Sequence, residues 1–282
     1  MSIIEQLNVP ELLLNLQSNS FIGSIPQLID TSIRFEDHGN ILYCEDGVIL
    51  KKSRLVFKSN DALIVLRKSK HPLHLRVDVW NNCLFYLGAN SYTNAEKALR
   101  VIASERRNVV IGDDSLMSFG IWIRTADPHL IYDCSNMKRI NQSKDILIGD
   151  HVWIGQNALI LKGTSVGSGS IIGANSVCSG KTIPSNTSWA GNPAKLIAKD
   201  VFFSKRSAHS FSLERSEHFE TFRRKDYIFV PSTESENSFS GLQALLEKDM
   251  LLEQKLDALL AYFNNSTNRS RFMIPAESQK SA

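Results

Sequence analysis

The sequence predicts a mainly β chain wound into a solenoid of short parallel strands, and three observations carry that prediction. The stretch from Ile148 to Ile183 divides into six hexads, IGDHVW, IGQNAL, ILKGTS, VGSGSI, IGANSV and CSGKTI. Their first positions, Ile148, Ile154, Ile160, Val166, Ile172 and Cys178, are aliphatic in five cases of six. Their fifth positions, Val152, Ala158, Thr164, Ser170, Ser176 and Thr182, are all small or β-branched. A helix repeats its apolar face every three to four residues and a strand every two, so a sustained period of six fits neither alone. Six residues make one flat side and a corner, three sides make a coil, and coils stack through backbone hydrogen bonds about 4.8 Å apart. The first position fills the interior of the resulting prism, and the fifth stays small where the chain turns. The sixth positions, which include Trp153, Leu159, Ile171, Val177 and Ile183, then face outward as a largely apolar wall that calls for a cover.

Taken in order, residues Ile3 to Leu16 carry apolar side chains at mixed spacing and predict a docking helix, with Pro10 placed to open a second short one. From Phe21 to Leu87 the runs VILKK, RLVF, ALIVLRK, LHLRVDVW and CLFYLG are β-rich without a clean hexad register. They read as irregular early coils, or as a separate β-rich unit stacked on the open end; either covers an edge that would otherwise template unwanted pairing. Asn94 to Glu105 has helix-forming composition and predicts a short surface helix. Hexads start at Ile111, Met117 and Ile123, but Ile111 lies 37 residues before Ile148, one more than a multiple of six, so a segment is inserted. The polar run 124–145, with Asp127 and Pro128 marking a turn, is that segment, and a loop of this length leaving a regular solenoid points to function.

Beyond the hexads, Pro184 to Ile197 reads as an exit turn in which Trp189 packs or meets a ligand, and Asp200 to Val230 as a charged, aromatic segment wrapping the outside. Glu234 to Ser240 is polar and expected to be mobile. Leu242, Leu245, Leu252, Leu256, Leu259 and Phe263 form the seam of a helix over 241–263, with Asp249 the polar break; the seam packs on its own domain or joins subunits as a coiled coil. Asn264 to Ala282 reads as a disordered tail. The chain thus divides into an N-terminal part (1–107), a regular core (108–199) and a C-terminal extension (200–282).

Composition excludes several classes. With 282 residues, 43% of them hydrophobic, the chain suits a globular protein with a substantial core, and a net charge of +3 demands no nucleic-acid partner. Cys44, Cys83, Cys134 and Cys178 show no CxxC spacing and read as reduced thiols. The first basic residue is Arg34 and no apolar run approaches about 18 residues, so neither a signal peptide nor a transmembrane segment is expected, and the expected location is the cytoplasm.

The run VWIGQNALILKGTSVGSGSIIGANSVCSGKTIP followed by AGNPAKLI resembles the hexapeptide-repeat acyltransferases, in their maltose/galactoside and polysaccharide O-acetyltransferase branch, over roughly residues 108–197. The resemblance implies a left-handed parallel β-helix, a homotrimer with each active site between two prisms, and acetyl-CoA as cosubstrate. RTADPHLIYD resembles the loop that carries the catalytic histidine, which makes His129 the general base: a thioester is already activated, so the acceptor hydroxyl needs only a group to take its proton. The plain alternative is a surface histidine bonded to Asp127 or Asp133, the latter also a candidate to orient the ring. Trp153, in HVWIG, resembles the tryptophan lining the thioester site, with Gly155 allowing close backbone approach. By position in the motif Ala174 and Ser179 match the pantetheine-contacting turn, and Lys181 and Lys195 the basic residues on the phosphate and adenine side. CSGKTIP holds one residue more than the commoner VxKDIP form, so the assignment of Ser179 and Lys181 can shift by one. His129 and His151 are the only histidines between Asn108 and Asp200, too few for a three-ligand zinc centre, and no metal is expected. The implied function is O-acetylation of a bacterial surface polysaccharide, first a sialic-acid-containing capsule, with the flanking regions extending a groove for a long polymer. A transferase for a small sugar or nucleotide sugar, or a non-catalytic scaffold, are the alternatives.

Overall fold

The computed structural model describes residues 5–7, 9–230, 238–264 and 270–276. The chain forms a left-handed parallel β-helix of about seven turns. Its strands fall into three stacks, the faces of a triangular prism. The first face runs through eight strands from Ser20–Gly23 to Thr182–Ile183. The second starts with Gln27–Ile29 and Ile49–Lys51, passes through a single bridge from Leu50 to Leu73, and resumes from Tyr92–Thr93 to Ser188–Ala190. The third stacks Ser32–Phe35 up to Val177–Cys178. Coils therefore begin at Ser20, and the β-rich runs before Leu87 are early turns of the same prism rather than a separate unit. Inside, one core joins Phe35, Phe57, Phe85, Ile111, Ile148, Val166 and Ile183 from end to end.

Each end is closed by a strand of opposite sense, which removes a bare sheet edge. Glu5–Leu7 pairs antiparallel with Ser32–Phe35, and the 3-10 helix Pro10–Asn15 plugs the base with Leu13. The docking helix expected over Ile3 to Leu16 is thus a strand and a short 3-10 turn, the latter opened by Pro10 as its sequence suggests. At the top, Lys195–Ala198 folds back on Ser188–Ala190, while Trp189 packs on the core and donates its indole N–H to Thr187 Oγ1 at 3.0 Å.

The helix expected at Asn94 to Glu105 is instead the strand Leu99–Ala103. It pairs with Leu75–Val79 below and Trp122–Arg124 above, burying Leu99, Val101 and Ala103 in alternation. Ladder hydrogen bonds on both sides outweigh a propensity difference of a few tenths of a kcal/mol per residue. The last hexad also needs correction. Val166 pairs with Ile183, 17 residues on, so the corner CSGKT is one residue short of a hexad. Ile183, read as an outward sixth position, is fully buried, and Thr182 is exposed where Thr187 takes the small inward corner.

The seam read as one helix over 241–263 forms two, Phe239–Leu246 and Leu252–Asn264, with Asp249 in the interruption. Both press on the outer side of the first face, where Leu242, Leu246, Leu256, Leu259 and Phe263 bury Ile41, Leu63, Val65, Leu84, Tyr86, Val110 and Leu147 in a second core. In the tail, residues 270–276 pack on the prism. Arg271 reaches Asp150 at 2.7 and 2.9 Å and Asp113 at 2.8 Å, and Phe272 is fully buried. Of the stretches read from sequence as mobile or disordered, residues 234–237, 265–269 and 277–282 lie outside the described residues, while Phe239 and Ser240 open the helix Phe239–Leu246. Among the described residues no helix is long and apolar enough to cross a membrane.

Candidate active site

Between Arg124, which ends a third-face strand, and Ile146, which starts a first-face strand, the chain leaves the prism at the edge joining those two faces. Asn141, 6% exposed, fastens this loop. Its amide nitrogen donates to the His129 carbonyl at 2.8 Å and to Asp127 at 3.1 Å, and its oxygen accepts the Ile131 N–H at 2.9 Å. Lys162, from the corner of the next coil, donates to Asp127 and to the Asn141 carbonyl at 3.1 Å. That lysine, chiefly, holds the Asp127 carboxyl below its ordinary value. Below the loop, Glu105 on the same edge receives Arg139 and Ser143. Those bonds bring the Glu105 carboxyl down to about 2.

The His129 backbone is therefore fixed while its side chain is exposed. Neither aspartate considered as its partner bonds to the ring. Asp127 serves Lys162 and Asn141, and Asp133 caps its own turn by accepting the backbone N–H groups of Ser135 and Asn136. Past His129 the loop turns an apolar surface outward: Leu130, Ile131, Tyr132, Met137 and Ile140 are 50–75% exposed.

Trp153 lies on the second face, in register with Leu116 below and Ile171 above, and is 37% exposed. Beside it the C-terminal extension is riveted to the prism through His151. That imidazole stacks between Phe203 and Tyr227 at 4.1 and 4.0 Å, pairs through Nδ1 with Asp114 at 2.7 Å, and meets the Phe203 carbonyl through Nε2 at 3.0 Å. Burial would raise the Asp114 carboxyl, but hydrogen bonds from His151 and Lys205 outweigh it and hold the group below its ordinary value. Both ring nitrogens of His151 are thus spent on packing. Phe203 in turn borders Trp153, ring centres 5.8 Å apart.

The residues assigned to the cosubstrate separate into two groups. Gly155 and Ala174 stack at the edge between second and third faces, where a Cβ on Gly155 would lie 2.6 Å from the Ala174 nitrogen, so only glycine fits. Lys195, exposed, pairs with Ala190 near the same edge. Ser179 and Lys181 sit instead on the third-to-first edge, where the intervening Gly180 donates to the Lys162 carbonyl at 3.1 Å, next to the His129 loop. In a prism the third-to-first edge lies opposite the second face. One chain accordingly holds His129, Ser179 and Lys181 on one side and Trp153, Gly155, Ala174 and Lys195 on the other. Sequence reasoning missed Asn141, Lys162 and Glu105. Asn141 sits in a polar run with no periodic signal, and the other two are corner residues whose alignment depends on coil length.

Residues 145–180 match the profile of the bacterial transferase hexapeptide (six repeats), and those residues are the regular coils just described. That stretch thus carries the hexapeptide repeats of the profile. The chain is 28% identical over 181 residues to the polysialic acid O-acetyltransferase of Neisseria meningitidis, covering 64% of the chain and 82% of the relative. It is 39% identical over 104 residues to the polysialic acid O-acetyltransferase of Escherichia coli O1:K1, 37% of the chain but only 34% of that relative's length. Among solved structures, the polySia specific acetyltransferase NeuO superposes with a TM-score of 0.59 at 28% identity, covering 72% of this chain and 93% of that one. The polysialic acid O-acetyltransferase OatWY gives 0.56 at 23% identity, covering 73% and 100%, a likeness of fold.

Proposed function

We propose that the protein transfers the acetyl group of acetyl-CoA to a hydroxyl of an acidic capsular polysaccharide, at a site completed between two copies of the chain in a trimer. The observation that carries this reading is the placement of His129 and Trp153 on opposite sides of one prism, so that they can meet only across a contact between copies. The exposed apolar tip of the His129 loop and the outward Trp153, Ile171, Leu159 and Val177 supply surfaces that such a contact would remove from water. The relatives named as polysialic acid O-acetyltransferases supply the acceptor class.

In this reading the acceptor oxygen attacks the thioester carbonyl carbon while the His129 imidazole takes the hydroxyl proton. The tetrahedral oxyanion is met by the Trp153 indole N–H. The C–S bond then breaks, the proton returns from His129 to the sulfur, and acetyl ester and free thiol leave. Lys181 and Lys195 sit as counter-charges for the cosubstrate's phosphates, with Ser179 and Ala174 along the pantetheine arm. Pairing His129→Ala with Trp153→Ala tests both halves of the proposal. Each variant alone should lose about 10²–10⁴-fold in thiol release with polysialic acid as acceptor. Co-expression of the two should recover part of the activity through mixed assemblies. Full activity of His129→Ala would end the base assignment, and no recovery on mixing would end the shared site.

A further inference from the structure

Three consecutive coils place an arginine at the same outward register of the third face: Arg54 pairs with Arg76, and Arg76 with Arg100. Adjacent strands stand about 4.8 Å apart, and like charges directly opposite one another across strands repel. A fold that keeps three such neighbours is biased toward holding an anion between them. Arg100 has partners of its own, Asp78 at 3.7 Å and the Trp122 ring at 4.5 Å. Arg54 and Arg76 are exposed and form no ion pair among the described residues.

The ladder borders a groove at the edge between second and third faces, lined by Lys52, His74, Arg76, Lys97, Arg100 and Trp122, with Glu96 its only acidic side chain. Two buried polar atoms of this lining are orphaned. His74 is 6% exposed, and its Nδ1 has no hydrogen-bond partner; neither has Nε of Arg100. Buried polar atoms in native structures are overwhelmingly paired, so two unpaired ones in the lining of one cationic groove point to a ligand.

The geometry points to a binding groove for a carboxylate-bearing polysaccharide, running along the prism axis over the early coils, with the Arg54–Arg76–Arg100 ladder gripping successive carboxylates. Guanidinium groups engage carboxylates by two parallel hydrogen bonds, and a ladder on stacked strands repeats that grip along a polymer. The aromatic face of Trp122 at the upper end suits a sugar ring. This assignment rests on the acidic-polymer reading of the acceptor and deepens it: the chain would hold the polymer on its early coils, apart from His129 and Trp153.

The test is fluorescence anisotropy of the full chain with labelled oligosialic acid, a sulfated glycan of equal length and neutral dextran, at low and moderate salt. Wild type should bind oligosialic acid tightest, with affinity falling as salt rises. The double variant Arg54→Gln, Arg76→Gln should lose roughly tenfold in affinity for oligosialic acid, as expected for one or two charge-assisted contacts, while binding coenzyme A as before. Unchanged oligosialic acid affinity in the double variant overturns the groove, and equal affinity for the sulfated glycan overturns its assignment to carboxylates. Because the readout is binding, it stands apart from the thiol-release assay. An inactive transferase that still grips the polymer here would sink the proposed reaction alone, and an active one indifferent to the ladder would sink the groove alone.

Discussion

The first and third faces of the prism are built on the same ladder, yet their outer registers have opposite fates. On the first face one column reads Tyr43, Val65, Tyr86, Val110, Leu147, and the chain's own helices lie on it. On the third face the matching column reads Arg54, Arg76, Arg100, then Trp122, Leu159, Val177, and no described segment of the same chain buries Arg54, Arg76 or Trp122. The inward side chains are alike, so fold and core do not separate the faces. What separates them is which group the outward residue asks for: an apolar lid, an anion, or another apolar surface.

The lid offers the largest effect. Phe263 stacks on Tyr86 at 4.0 Å, carries Arg271 over its ring at 4.6 Å, and accepts that guanidinium through its carbonyl. Phe263→Ala should cost about 3–5 kcal/mol in denaturant unfolding, as for other buried phenylalanines. A loss below about 1 kcal/mol would mean that the helices rest on the first face without being needed there, and the contrast between the faces would dissolve.

How much of this contrast the sequence discloses depends on coil length. From Ile148 to Cys178 a fixed step puts every residue on a known face, and the inward Ile and Val positions, the inserted loop and the outward Trp153 are all legible. In the early coils the step changes: Arg54 to Arg76 is 22 residues and Arg76 to Arg100 is 24, because corners differ in length. An arginine ladder with unequal steps has no period to detect. The same cause hid the strand at Leu99–Ala103, since its two neighbours in space are 24 and 22 residues away. One short corner at CSGKT was enough to turn Ile183 from core into surface in the sequence reading. The His129 loop was legible as a loop but not in its anchoring, because Asn141, Lys162 and Glu105 converge from three different coils.

That anchoring allows a smaller, pH-dependent test. The lid helices meet the first face through apolar side chains, with the Arg271 pairs to Asp113 and Asp150 beside them, whereas the loop edge is held by ion pairs and hydrogen bonds. The Glu105 carboxyl, brought from its ordinary 4.5 to about 2 by Arg139 and Ser143, adds stability that is complete above 4.5. It is lost as pH falls through 2, where the group takes up its proton even when folded. Asp127, also lowered, acts in the same direction. Amide exchange across 125–145 should therefore accelerate relative to the lid, after correction for intrinsic rates, as pH drops from about 4.5 toward 2. Equal protection in both regions throughout that window would show that Glu105 does not hold the loop.

The smallest expected effect is the most diagnostic for the third face. If the ladder exists to hold a ligand, Arg76 contributes nothing to folding and its charge is a modest liability between Arg54 and Arg100. Arg76→Gln should then leave urea stability within about 0.5 kcal/mol of wild type, with any shift toward greater stability as one repulsive neighbour is removed. Added salt should narrow the difference further, because the repulsion it removes is exposed and screened. A destabilisation beyond about 2 kcal/mol would identify Arg76 as a structural residue with a partner of its own, and the outer register of the third face would have to be read as packing, like that of the first.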